Sequence, residues 1–123
     1  MKTEYNTLSV YLTKDGSQIR ELMHPAQHAA HGNRTQSFAE AIVEPRMKTA
    51  LHRHHVTEEI YHITQGAGRM TLGAQTFAVS VGDTVCIAPG TAHCIECVSE
   101  LALKILCVCA CSPAYAHDDT EII

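Results

Sequence analysis

From Gln36 onward the chain breaks into short segments rich in Val, Ile, Thr and Tyr, divided by Gly, Pro, Asp and Asn. No stretch sustains the 3.6-residue apolar period of an amphipathic helix, so a chain punctuated in this way has strand pairing as its route to a core. The pattern predicts an all-β protein with strands over residues 37–43, 48–52, 59–65, 69–72, 75–79, 84–87, 92–98 and 101–111, at the close spacing of a barrel or sandwich. Gly73 and Gly82-Asp83 are expected to turn two hairpins, and Pro89-Gly90 a tight turn ahead of a strand. The N-terminal third says less. Lys14-Asp15-Gly16-Ser17 reads as a turn, residues 19–22 as an edge strand, and residues 24–34 as an ordered loop with no pattern. Pro113 stops the last strand, and residues 115–123 read as a tail with an acidic step at Asp118-Asp119.

At 123 residues, 46% hydrophobic and 18% charged, the chain has the size and apolar content of one domain with its own core, spanning residues 1–123. An arm (1–35) and a tail (112–123) flank the strand-rich part. The formal net charge of −4 leaves no cationic excess to neutralise a phosphate backbone, which argues against a nucleic-acid partner. No apolar run approaches the roughly 20 residues that cross a bilayer, and the N-terminus lacks the apolar core of a secretory signal. No membrane partner and a cytoplasmic location are therefore expected. In that compartment the six cysteines are expected to be reduced.

Nine histidines are many for this length, and three fall within four positions in LHRHHVTEEIYHITQG. Side chains alternate along a strand, so His52 and His54 share one face while Arg53 and His55 take the other. After a turn near residues 56–58, Glu59 and Tyr61 share a face, with His62 opposite. His93 follows the Pro89-Gly90 turn at the start of another strand, where it can meet the first pair across a barrel interior. Three imidazoles and a carboxylate suit one divalent transition metal (Zn, Mn, Fe or Ni), and a six-coordinate ion held by them keeps two open positions. In the last strand Leu101, Leu103, Ile105, Cys107, Cys109 and Cys111 share a parity opposite Lys104, which predicts that the cysteine row faces inward.

These residues carry a resemblance to the cupin superfamily. Its first motif, G-x5-H-x-H-x3–4-E-x6-G, is matched by His52, His54, Glu59 and Gly66, with Arg46 at the leading glycine. Its second, G-x5-P-x-G-x2-H-x3-N, is matched by Gly82, Gly90 and His93, with Ala88 at the proline and Cys97 at the asparagine. The motifs span residues 46–97. The resemblance implies a small double-stranded β-helix, or jelly-roll, barrel with His52, His54, Glu59 and His93 as metal ligands. The whole chain looks like the single-domain cupins described as mannose-6-phosphate-isomerase-like.

A divalent ion bound by three neutral imidazoles and one carboxylate keeps a net charge of about +1 and attracts oxygen donors, so the expected partner is a small oxygen-rich molecule. The favoured reading is an enzyme acting on a small carbohydrate or an oxo or hydroxy acid by isomerase-type proton transfer, with Tyr61 as the catalytic group beside the ion. Iron in the same site would support a dioxygenase, and a third alternative is a binding or sensing cupin without turnover. Arg20, Arg34, Arg46 and Arg53 are candidate anion holders, and Tyr115 and His117 can fold over a barrel mouth. A homodimer is expected, with an N-terminal strand exchanged between copies to protect open edges.

Overall fold

Residues 2–110 and 119–123 are described by the structure, a computed structural model. The expectations placed on Cys111, Tyr115 and His117 lie outside those residues. The alternating segments form eleven strands: β1 (Val10–Leu12), β2 (Gln18–Met23), β3 (Gln36–Val43), β4 (His52–His54), β5 (Glu59–Gln65), β6 (Ala67–Leu72), β7 (Gln75–Ser80), β8 (Thr84–Ile87), β9 (His93–Cys97), β10 (Leu103–Ala110) and β11 (Thr120–Ile122). They pair antiparallel in two sheets, six-stranded in the order β1-β2-β3-β10-β5-β8 and five-stranded in the order β11-β4-β9-β6-β7. From β3 onward the chain crosses repeatedly between the sheets, which is jelly-roll topology.

Each sheet turns one row of side chains inward. On β10 the alternation buries Leu103, Ile105, Cys107 and Cys109 while Lys104, Leu106 and Val108 are half-buried. Tyr61 and Ile63 of β5 join that row, and Met70, Val79, Ile95 and Cys97 meet it from the five-stranded sheet. At the β5–β6 turn Gly66 has φ +78°, and a Cβ there would stand 2.8 Å from Ser99 Oγ and 2.9 Å from the Ala102 carbonyl. Only glycine fits both constraints.

Several expectations need correction. The strand placed over 48–52 begins at His52, because residue 48 makes just an isolated bridge to Glu96 while β4 runs on to His54. Leu101, assigned to the inward row of the last strand, is exposed and precedes β10. The loop expected over 24–34 holds a four-residue helix, α1 (Pro25–His28), started by Pro25 at its first position and by His24, whose Nδ1 accepts from the Ala26 N–H. Residues 19–22, expected as an edge strand, lie inside the sheet as part of β2, because β1 pairs beyond them in register Tyr11 opposite Ile19. Part of the expected tail is β11, which pairs with β4.

Candidate metal centre

β4 and β9 are neighbours, and their register sets His52 directly opposite His93. The Ala88-Pro89-Gly90-Thr91 turn fixes the entry into β9: the Thr91 N–H donates to the Ala88 carbonyl at 3.2 Å, Gly90 takes φ +80°, and its N–H donates to the His54 carbonyl at 2.6 Å. Proline is therefore not required where Ala88 stands, since Pro89 supplies the fixed φ of the turn. His52, His54 and His93 offer ring nitrogens all within 4.8 Å of one another. The ring centroids of His52 and His93 are 4.2 Å apart, and His54 lies 5.4 Å from each. Among the described residues this is the group of three or more such side chains able to share an ion.

The second ring nitrogen of each histidine has a partner. His52 Nδ1 is 2.7 Å from the Ala50 carbonyl, and His93 Nδ1 is 2.9 Å from the Thr91 carbonyl. A carbonyl only accepts, so both Nδ1 atoms carry hydrogen and both Nε2 atoms present a lone pair when the rings are neutral. His54 Nδ1 is held at 3.2 Å by Thr120 Oγ1 and lies 3.5 Å from Asp119 Oδ1. Burial holds the His93 imidazole below its ordinary pKa, against the opposing pull of the Thr91 carbonyl and with His52 adding to the shift. The neutral ring is the form that ligates a metal.

Glu59, at the start of β5, brings Oε1 to 3.3 Å from His54 Nε2 and 3.9 Å from His93 Nε2. Glu59 Oε1 and His93 Nε2 are both buried without a hydrogen-bond partner. Two inward-facing acceptors left unsatisfied are costly unless a cation lies between them, so this donor set fits a divalent transition ion. The four residues expected as ligands are thus brought together.

They face a cavity of about 770 Å³ between the sheets. Tyr61 lines it, buried, its ring centroid 6.1 Å from that of His93. Burial first, and then the charge of Glu59, push the Tyr61 phenol well above its ordinary value, which keeps the hydroxyl protonated. Cys107 and Cys109 line the same wall. His55 and His62 lie elsewhere: His55 Nε2 meets Glu121 Oε2 at 2.5 Å and His62 Nδ1 meets Thr84 Oγ1 at 2.8 Å.

Of the four candidate anion holders, Arg34 lines the cavity. Arg20 is 3.7 Å from Glu40 and sits over the Tyr5 ring at 4.2 Å, Arg53 donates to Glu121 at 2.9 Å, and Arg46 belongs to a turn against Cys97. Sequence reasoning missed Asp15, Asp119 and Thr120 as neighbours of the cluster. Asp15 Oδ2 lies 3.3 Å from His52 Nε2. Burial raises the Asp15 carboxyl, but hydrogen bonds from Thr13 and Ser17 outweigh it and hold the group below its ordinary range. Its sequence context signals a turn and nothing more.

A family model described as "Cupin domain" matches residues 39–109. An uncharacterized protein of Methanocaldococcus jannaschii is 51% identical over 124 residues, covering 100% of this chain and 94% of that one. Among solved structures, a predicted oxalate decarboxylase of Thermotoga maritima superposes with TM-score 0.76 at 21% identity, covering 91% of this chain and 100% of its own. The polyketide cyclase RemF of Streptomyces resistomycificus also gives TM-score 0.76, at 18% identity, covering 97% of this chain and 88% of its own. At such identities those two structures speak for the fold alone. With its paired sheets, its histidine cluster and a family match over residues 39–109, the chain belongs to the cupin family.

Proposed function

We propose that this cupin is a metal-dependent enzyme for a small oxo or hydroxy acid, with His52, His54, His93 and Glu59 holding one divalent transition ion. The observation that carries the reading is the convergence of the buried, unpartnered Glu59 Oε1 and His93 Nε2 beside His52 and His54. When bound, such an ion supplies Lewis acidity toward carboxylate, carbonyl and hydroxyl oxygens. Tyr61, its hydroxyl kept protonated, donates a hydrogen bond to an oxygen of the ligand held beside Glu59 and stabilises charge that develops there. Arg34 and Lys14, both exposed, line the cavity with the carboxylates of Asp15, Glu21 and Glu59, so its pull on an anion rests on these two cations together with the charge of the ion.

An apolar stretch of the wall favours an acid over a sugar phosphate of the kind implied by the mannose-6-phosphate-isomerase-like resemblance. Ile19, Ala39, Ala41, Val43, Ile95 and Ile105 form this stretch, while His24, Gln27 and Ser37 are among the polar residues of the wall. The Thr49 hydroxyl on this wall accepts the Ile95 N–H at 3.0 Å. A sugar ring needs a partner for each hydroxyl, whereas a short acid chelates at one end and packs its apolar remainder against these side chains.

A panel of oxo acids, hydroxy acids, sugars and sugar phosphates, assayed with metal-loaded protein in the presence and absence of dioxygen, tests the proposal. Conversion of an acid, lost roughly 10²–10⁴-fold in Tyr61→Phe with metal content unchanged, is the expected result. Binding without conversion across the panel would replace the enzyme with a sensing cupin, and full turnover by Tyr61→Phe would remove Tyr61 from the mechanism.

A further inference from the structure

We infer that Asp15 is a further oxygen donor of the metal centre, carried into it by the hairpin between β1 and β2. The inference rests on the reading that the three histidines and Glu59 hold a metal. The hairpin is built to aim this carboxylate. Asp15 Oδ1 accepts from the Thr13 hydroxyl at 2.5 Å, the Ser17 N–H at 2.9 Å and the Ser17 hydroxyl at 2.7 Å. That oxygen is saturated within its own turn, and Oδ2 is left to face His52 Nε2 at 3.3 Å.

A single residue aligns the two partners. The Ala50 N–H donates to the Asp15 carbonyl at 2.7 Å, while the Ala50 carbonyl takes the Nδ1 hydrogen of His52, also at 2.7 Å. With its ring neutral, His52 turns a lone pair at Nε2 toward a carboxylate oxygen, and two lone pairs at this separation repel unless a proton or a metal cation lies between them. The spacing suits a shared metal. Two donors each about 2.1 Å from one ion and at right angles around it stand roughly 3 Å apart. The Asp15–His52 separation of 3.3 Å equals that between Glu59 Oε1 and His54 Nε2.

A fifth protein donor changes how a ligand enters. With Asp15 as a fifth protein donor, a six-coordinate ion would keep one open position, and an acid chelating through two oxygens would compete with this carboxylate, whose hairpin is tied to Ala50. Ligand exchange and hairpin position are then coupled, although the hairpin lies outside both sequence motifs.

The test is Co²⁺ binding to the full chain, by competition with a chromogenic chelator, in the wild type and in Asp15→Asn. Asparagine retains an oxygen to accept the turn's hydrogen bonds and replaces the charged donor with an amide. The variant is expected to bind Co²⁺ at least ~10-fold more weakly, with an altered visible Co²⁺ spectrum. Amide exchange over residues 13–17 is expected to slow when Co²⁺ saturates the wild type, and to stay unchanged in the variant. Equal affinity and an identical spectrum in Asp15→Asn, with the wild type binding one Co²⁺, would overturn the inference while leaving the histidine site standing. A wild type that binds no Co²⁺ would overturn both. Should Asp15→Asn fail to fold, the wild-type exchange decides alone: no slowing over residues 13–17 on saturation removes Asp15 from the centre.

Discussion

Arg46 stands where the first cupin motif has its leading glycine, and its φ of +67° is the one positive value among the described non-glycine residues. The fold demands a left-handed residue there, and an exposed arginine adopts it at a cost of roughly 1–2 kcal/mol. Arg46→Gly should raise stability by about 0.5–1 kcal/mol once the looser unfolded chain is subtracted, and shift Tm upward by a few degrees. An unchanged or lowered Tm would mean that the arginine makes a compensating interaction. The cysteines give a second expectation at this scale. Burial, then the charge of Glu59, push the Cys107 thiol well above its ordinary value, so little thiolate forms at pH 8. An aromatic disulfide reagent should label exposed Cys86 first and leave buried Cys97, Cys107 and Cys109 slow, with all six cysteines of the chain titrating in denaturant. Fast native labelling of Cys107, or fewer than six thiols in denaturant, would contradict this.

β11 shows how an element can matter to the site without a pattern of its own. Asp119, just before it, accepts from the Val56 N–H at 2.9 Å, the Thr57 N–H at 3.1 Å and the Thr57 hydroxyl, clamping the chain end to the turn between β4 and β5. Thr120 then reaches His54. Asp119→Ala should cost about 1–3 kcal/mol, because two backbone donors lose their acceptor. Burial raises the Asp119 carboxyl, but these hydrogen bonds outweigh it and leave it lowered. Its contribution is therefore full above the ordinary carboxylate pKa and is lost as pH falls through the lowered value. A variant whose stability falls with acid in parallel with the wild type would contradict that assignment. The contrast with legible elements is physical. β5 and β8 begin and end where the sequence places them, since each alternates apolar and polar residues between turn signals. β1 and β11 have three residues each, too few for a period to register, and β1 is exposed throughout. Asp15 and Asp119 looked like a turn residue and an acidic tail because their partners, His52 and Thr57, lie far along the chain.

At the scale of the whole molecule, the two sheets bring the proposed ligands from three separate strands to one place. β4 supplies His52 and His54, β5 supplies Glu59, and β9 supplies His93 across the register that pairs it with His52. This convergence could be read from the H-x-H, Glu and His spacing because His52, Glu59 and His93 each begin a strand and His54 shares the face of His52 two residues on, so alternation leaves little freedom of direction. The hairpin and the C-terminal strand that surround the cluster follow no such rule. The barrel thus brings three imidazoles and the Glu59 carboxylate together beside the cavity, the frame on which the proposed metal site rests. Elemental analysis of protein purified without chelator and then equilibrated with divalent transition metals tests this most directly. About one equivalent is expected in the wild type and none of comparable affinity in His93→Ala, whereas a full equivalent at unchanged affinity in His93→Ala would contradict the assignment.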